Sequence, residues 1–459
     1  MVTGDPFVDA GGVVLEYLKN QFPEKNIIDL IDFAAEIFIY KWNGKIDSLQ
    51  LNSNITHNSK RGSLEKQKKA KENVKKYFEN ILNSGSFSDA SGYCRICGKK
   101  GKNFKVGRET FPLSGSGKFV NFHHGHENGI LLCNDCITKL FFLPLAVLQM
   151  RKNLALLHVH SEKIKEYWIE KVIKKNLDNY SKNISEGILK SKLNNPKNAL
   201  FEMASELINE FEAKNEYLQL FYFTNFGANP NCEIYILPNP VFRFISKVLR
   251  YCRKDWFVFI KRYYKVSKAT WDYTTFEWVS EKEGKITKDY YQDEKNMVIE
   301  YLLEGKSLIG ILKKFYRENF LKKKEVSSLI LDYYLKEVKN MDLKQIELIK
   351  RLGKSIIEIS RKENNFKKYL TMIEGANKAF QLRAIIITLI KKHYINGEEK
   401  PLITLDEYVN YLFPDGQYWS EIRDILLIYL YELLHEENIK NIDVEESNLE
   451  EPEDELIEF

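Results

Sequence analysis

Four of the six cysteines stand in two pairs, Cys94-Arg-Ile-Cys97 and Cys133-Asn-Asp-Cys136, with 35 residues between them. Each C-x-x-C turn can present two thiolates to one ion, and zinc takes four tetrahedral ligands with Zn–S bonds of about 2.3 Å. Gly98 follows the first pair, where a residue without Cβ lets the backbone turn back toward the sulfurs. The second pair reads as the start of a helix, whose dipole favours thiolate charge. Knuckle, glycine-rich hairpin, then knuckle plus helix is the layout of a treble-clef zinc site. Four cysteines close the coordination shell, so the expected ion is a structural Zn2+ with no open catalytic position. Cys232 and Cys252 read as ordinary buried residues.

The loop between the pairs carries Phe122-His123-His124-Gly125-His126. A histidine here could replace a cysteine or hold a second ion; the plainer reading is a polar hairpin tip. Gly115-Ser-Gly-Lys118 resembles a phosphate loop, but Pro112 and Phe119 stand where that motif needs glycine and Ser or Thr. His123, His124 and Asn128 before the second pair also suggest an HNH-type metal nuclease. Against it, Ile137 stands where a histidine is needed after the last cysteine. No Ser-His-Asp set, carboxylate pair or dinucleotide fingerprint stands out, so the expectation is no enzyme and no catalytic residue. A zinc-containing DNA-binding regulator is the other alternative, though no helix-turn-helix signal accompanies it.

Arg243, Lys247, Arg250, Lys254, Lys261, Lys265 and Lys268 recur at intervals of three, four or seven, which on one helix makes a continuous basic stripe. Phe244, Ile245, Val248, Leu249, Phe257 and Ile260 would back it. Between 241 and 270 there are nine basic residues and one acid, Asp255. That imbalance suits phosphate contact. A second basic segment, 60–76, includes Lys66 and Lys69. Tyr251, Trp256, Tyr263, Tyr264 and Trp271 could stack on bases, with core packing expected for most.

The elements that must position these residues read as α+β and mainly helical. We expect an N-terminal helical region (1–90), a zinc module with its following helix (91–150), a mixed α/β segment (151–321), a C-terminal helical bundle (322–440) and an acidic tail (441–459). Within these, 12–42 and 64–82 read as helix, a helix is expected to run from Cys136 to about Gln149, and 218–225 and 232–237 read as a strand pair. The chain has 459 residues, with 69 Lys and Arg against 64 Asp and Glu, a net charge of +5. Residues 436–459 hold eleven acids and one base, a net −10 that leaves +15 on residues 1–435. A basic body points to a polyanionic partner. The longest apolar run, 140–148, contains Pro144 and is too short to span a bilayer, and the N-terminus shows no secretory leader. The expected setting is cytoplasmic.

Three segments together resemble one family: Thr3-Gly-Asp-Pro-Phe-Val-Asp-Ala-Gly11, the paired C-x-x-C turns, and Phe221-Tyr-Phe-Thr-Asn-Phe-Gly227 leading to Tyr235-Ile-Leu-Pro238. The chain is similar to the CRISPR-associated CXXC-CXXC proteins, large subunits of type I-B Cascade complexes. The resemblance implies a non-enzymatic subunit that binds crRNA and target double-stranded DNA among other Cascade subunits, recognises the protospacer-adjacent motif (PAM) and recruits the helicase-nuclease in antiviral defence. It also implies that the C-terminal bundle is small-subunit-like and can be made from an internal start, Met341 or Met297.

Overall fold

Asp5 opens the first helix, α1 (Pro6–Gln21), by accepting from the amides of Phe7 and Val8 at 3.0 and 2.8 Å, with Pro6 in the first turn. The structure, a computed structural model, describes residues 3–42, 46, 49, 63–83, 90–115, 120–121, 126–181, 187–208, 217–225, 230–280, 284–286, 288–325, 327–397, 399–413 and 418–437. They fall into two compact units, one of Met1–Asn239 with Lys288–Lys295, the other of Pro240–Thr287 with Asn296–Phe459.

In the first unit, α2 (Ile27–Glu36) starts on a capping box between Asn26 and Asp29. α3 (Leu64–Asn83) buries Ala70, Val74, Phe78 and Ile81. Phe78 and Phe38 meet Phe141 at 4.9 and 5.5 Å, so this face closes on α4 (Asn134–Phe142). Strands β1 (Ala90–Tyr93), β2 (Lys100–Val106) and β5 (Ile130–Leu132) pair antiparallel in the order β1-β2-β5, and β3 (Val120–Asn121) pairs with β4 (Glu127–Asn128). A four-stranded antiparallel sheet follows, β6 (Leu148–Met150), β7 (Asn153–Leu157), β8 (Leu218–Thr224) and β9 (Asn231–Leu237), in sequence order. α5 (Glu162–Trp168), α6 (Lys174–Ser181) and α7 (Pro196–Leu207) complete the unit.

Three contacts hold the N-terminal segment, the cysteine region and the four-stranded sheet together. α1 crosses α4 at Gly11, where an added Cβ would lie 2.0 Å from the carbonyl oxygen of Lys139. Phe7 reaches the sheet at Phe223, ring centres 5.0 Å apart. The fully buried Asn225 donates to the carbonyls of Leu49 and Arg108 and accepts from the Leu113 amide at 2.8 Å. The three segments that carry the family resemblance thus pack into one unit.

The second unit begins in α8 (Asn239–Tyr251), continues in α9 (Arg253–Arg262) and adds a small antiparallel sheet, β10 (Ala269–Asp272), β11 (Glu277–Ser280) and β12 (Gly284–Lys285). The remainder is helical: α10 (Met297–Glu304), α11 (Ile309–Leu321), α12 (Leu329–Tyr333), α13 (Leu343–Glu363), α14 (Phe366–Glu374), α15 (Ala379–Ile395), α16 (Leu405–Glu407) and α17 (Trp419–Glu436). α17 is buried along its length, from Ile422 to Leu434. Lys313 of α11 pairs with its Asp424 at 2.9 Å.

The chain is α+β and mainly helical, with the four cysteines in its N-terminal part. Several elements differ from the sequence expectations. The helix after Cys136 ends at Phe142, and a 3-10 turn Leu143–Ala146 leads into β6. Pro144 lacks the amide that would continue the helix, and its ring clashes with the carbonyl four residues back. Helix 12–42 instead starts at Pro6 and breaks between Gln21 and Ile27. Segment 151–321 divides between the two units near Asn239, and α11, before residue 322, already packs on α17. Of the polar stretch 43–63 all but 46, 49 and 63, residues 227–229 of the turn expected at 227–231, and the whole acidic tail 441–459 lie outside the described residues.

Candidate functional site

The first cysteine pair sits in the turn between β1 and β2. The Cys94 amide donates to the Lys99 carbonyl at 2.9 Å, the Gly98 amide donates to the Cys94 carbonyl at 3.0 Å, and Gly98 has φ +69°. That left-handed backbone is what glycine permits at this turn. The second pair lies where β5 runs into α4, with Cys133 at the N-cap and Cys136 in the first turn. β2 and β5 are joined in register, Phe104 opposite Leu132, and the Arg95 amide donates to the Leu131 carbonyl at 3.0 Å. The hairpin therefore carries one knuckle against the other.

All four sulfurs lie within 4.8 Å of one another. Sγ of Cys94 is 3.8 Å from that of Cys136, and Sγ of Cys97 is 3.6 Å from that of Cys133. Sulfurs at about 2.3 Å from a common tetrahedral centre stand about 3.8 Å apart, whereas a disulfide would need about 2.05 Å. Cys94, Cys133 and Cys136 are buried, and all four are free thiols.

Charge tells the same story. The thiol of Cys136 donates toward Cys133 and, with the Cys136 amide, pulls the Cys133 thiol below its usual range against the opposing effect of burial. Cys136 is pushed up by the same partner, and burial pushes up Cys97. One sulfur can ionise and its neighbours then resist, so four thiolates need a cation between them. The donor set fits a closed four-sulfur metal centre. Across the outside, Lys99 and Asp135 join the two knuckles by an exposed ion pair of 2.8 Å.

Of the loop histidines, His123 and His124 lie outside the described residues, and His126 is exposed with φ +67°. Cys252 is buried and Cys232 half-buried, both apart from the centre.

The basic stripe is not one helix. The backbone breaks at Cys252 (φ −141°, ψ 42°) between α8 and α9, and Lys265 and Lys268 lie beyond α9. Among the described residues two of its seven cations form ion pairs, Arg243 with Glu337 at 3.2 Å and Lys261 with Glu277 at 2.7 Å, and Lys247 lies over the Tyr251 ring at 5.8 Å. Arg262 is held by Glu318 at 3.2 Å and lies over Trp278 and Trp271. Lys66 and Lys69 occupy the exposed face of α3, while Lys71 on the same helix pairs with Asp32 at 2.9 Å.

Aromatic placement divides sharply. Trp256 is buried, whereas Tyr251 is 54% exposed and Phe257, expected behind the stripe, is 49% exposed. Arg253, omitted from the stripe, stacks its guanidinium 5.5 Å from the Phe257 ring centre. No glycine or proline marks the break at Cys252, so a helical period carried through it leaves Arg253 off the basic face.

Residues 88–148 match the family model of the CRISPR-associated protein Cas_CXXC_CXXC. Residues 318–457 match that of the DevT C-terminal domain. No curated protein matches the chain. No helix among the described residues is long and apolar enough to cross a membrane.

Proposed function

The chain carries the CXXC-CXXC module of the CRISPR-associated family, and from that premise we propose that it serves as the non-enzymatic large subunit of a type I-B Cascade complex. In this role it binds crRNA and target duplex DNA alongside sibling subunits, recognises the protospacer-adjacent motif and helps recruit the helicase-nuclease. The observation that carries the reading is the matched module built around four clustered sulfurs. A +15 body is consistent with a protein that supplies backbone electrostatics while guide pairing reads sequence.

In this reading the ion is zinc, held by Cys94, Cys97, Cys133 and Cys136. When bound it neutralises the thiolates and staples a region of short strands and turns, without an open position for substrate. The chain's own residues prepare the centre. The Lys99 amide donates to Cys97, and that of Cys136 to Cys133, holding each sulfur toward the ion.

A separately made small subunit would start better at Met297 than at Met341. Met297 opens α10, and a product from there keeps α11 against α17; a product from Met341 strips that contact.

The test is incubation of the purified chain with duplex DNA over a salt series, with and without Mg2+ or Mn2+. The reading expects salt-weakened binding and intact DNA. Divalent-dependent cleavage that disappears in His124→Ala would replace it with the nuclease reading.

A further inference from the structure

Two aromatic rings stand in solvent on the most basic stretch of the second unit. Tyr251 ends α8 and Phe257 lies in α9, on either side of the break at Cys252, with Arg253 and Lys254 between them. Leaving half of each ring in water forgoes part of the free energy of burial, so two such rings on a basic stretch call for a partner. Neither ring is loose. Tyr251 stacks on Tyr333 with centres 5.8 Å apart and planes at 29°, Lys247 Nζ lies 5.8 Å from its ring centre, and the Arg253 guanidinium lies over the Phe257 ring at 5.5 Å. Around them, Arg250, Arg253 and Lys254 are exposed and form no ion pair among the described residues, in contrast to Arg243 and Lys261.

Half-exposed rings beside exposed cations match one ligand chemistry. Bases supply flat faces for the rings, and the backbone supplies phosphates for the cations. An acidic protein would answer the charges but leave the rings unexplained. A duplex presents its bases edge-on, and its faces are already stacked. We propose that Tyr251 and Phe257, with Arg250, Arg253 and Lys254, form a stacking platform for single-stranded nucleic acid. The inference rests on the nucleic-acid role proposed above and gives it a location.

The test uses the full chain with fluorescent oligo(dT), oligo(U) and a duplex of equal length. Replacing both rings (Tyr251→Ala, Phe257→Ala) should weaken single-strand binding on the order of tenfold per ring. It should leave duplex binding little changed. The ring-preserving pair Tyr251→Phe and Phe257→Tyr should retain single-strand affinity. Triple replacement of Arg250, Arg253 and Lys254 by Ala should lower the salt slope of single-strand binding by about 2. The two oligomers report whether DNA or RNA is preferred. Single-strand affinity unchanged in the Ala pair, or lost equally in the ring-preserving pair, would overturn the platform. So would a wild-type chain that binds neither oligomer. Co-purifying RNA and sibling subunits report separately on the assembly role, so either idea can fail while the other stands.

Discussion

Gly11 of α1 packs against Lys139 of α4 so closely that a Cβ at Gly11 would sit 2.0 Å from the Lys139 carbonyl oxygen. The obstacle is backbone, so it cannot swing aside. Since α4 also carries Cys136, this crossing joins the N-terminal segment to the metal centre. Gly11→Ala should destabilise the first unit by at least about 1–3 kcal/mol, the usual range for overpacking. Gly12→Ala meets only the Lys139 side chain, at 3.3 Å, and should cost less. Urea unfolding followed by near-UV circular dichroism measures both. Equal stability of Gly11→Ala and wild type would refute the crossing.

Asp5 gives the same region a pH signature. Burial pushes its carboxyl up to about 6, opposed by the Val8 and Phe7 amides and reinforced by Asp9. Unfolded, it titrates near 3.9. Between about pH 4 and pH 6 the folded chain therefore binds more protons than the unfolded one. Its contribution is full below the unfolded pKa and is lost as pH rises through the folded one, by up to about 3 kcal/mol. Asp5→Asn keeps the capping oxygen and removes the charge, so it should flatten this part of the stability profile. Thermal melts from pH 4 to 7 provide the comparison; a variant with the wild-type slope would discharge Asp5 of the effect.

In the second unit, Glu318 accepts from Arg262 and from the Tyr273 hydroxyl, the latter at 2.8 Å. Arg262 is also flanked by Trp271 and Trp278. Glu318→Ala would strand a mostly buried guanidinium and should cost about 3 kcal/mol. Arg262→Lys should recover little, because an ammonium cannot reproduce the forked contact or the stacking. Chemical denaturation of the three proteins checks the order.

The centre makes a stoichiometric prediction. Serine at any one of Cys94, Cys97, Cys133 or Cys136 should lower bound zinc well below one per chain and loosen 90–142 to proteolysis. Cys232→Ser and Cys252→Ser should leave the metal content unchanged. Elemental analysis decides it; full zinc in Cys136→Ser would show that the four sulfurs do not form the site.

Much of this site was legible because its spacing is its chemistry: two C-x-x-C turns around a glycine-rich hairpin leave little choice of geometry. Strands β8 and β9 were legible from their bounded apolar runs, and α3 from the period that buries Ala70, Val74, Phe78 and Ile81. What failed was continuity. Leu140 to Leu148 reads as one apolar helix until Pro144 is given its steric weight. The break at Cys252 has no glycine or proline to announce it, and just beyond it Trp256 turns inward against Phe244 at 5.3 Å. The division of the chain near Asn239 likewise depends on contacts distant in sequence, as when Asn198 donates to the Glu294 carbonyl at 2.8 Å.

The assembly role is tested most directly by purifying the tagged chain from its native host under mild salt and analysing what accompanies it. The account predicts a uniform short RNA, several sibling proteins in fixed ratio and one zinc per chain. A monomeric chain free of both RNA and partner proteins would contradict it.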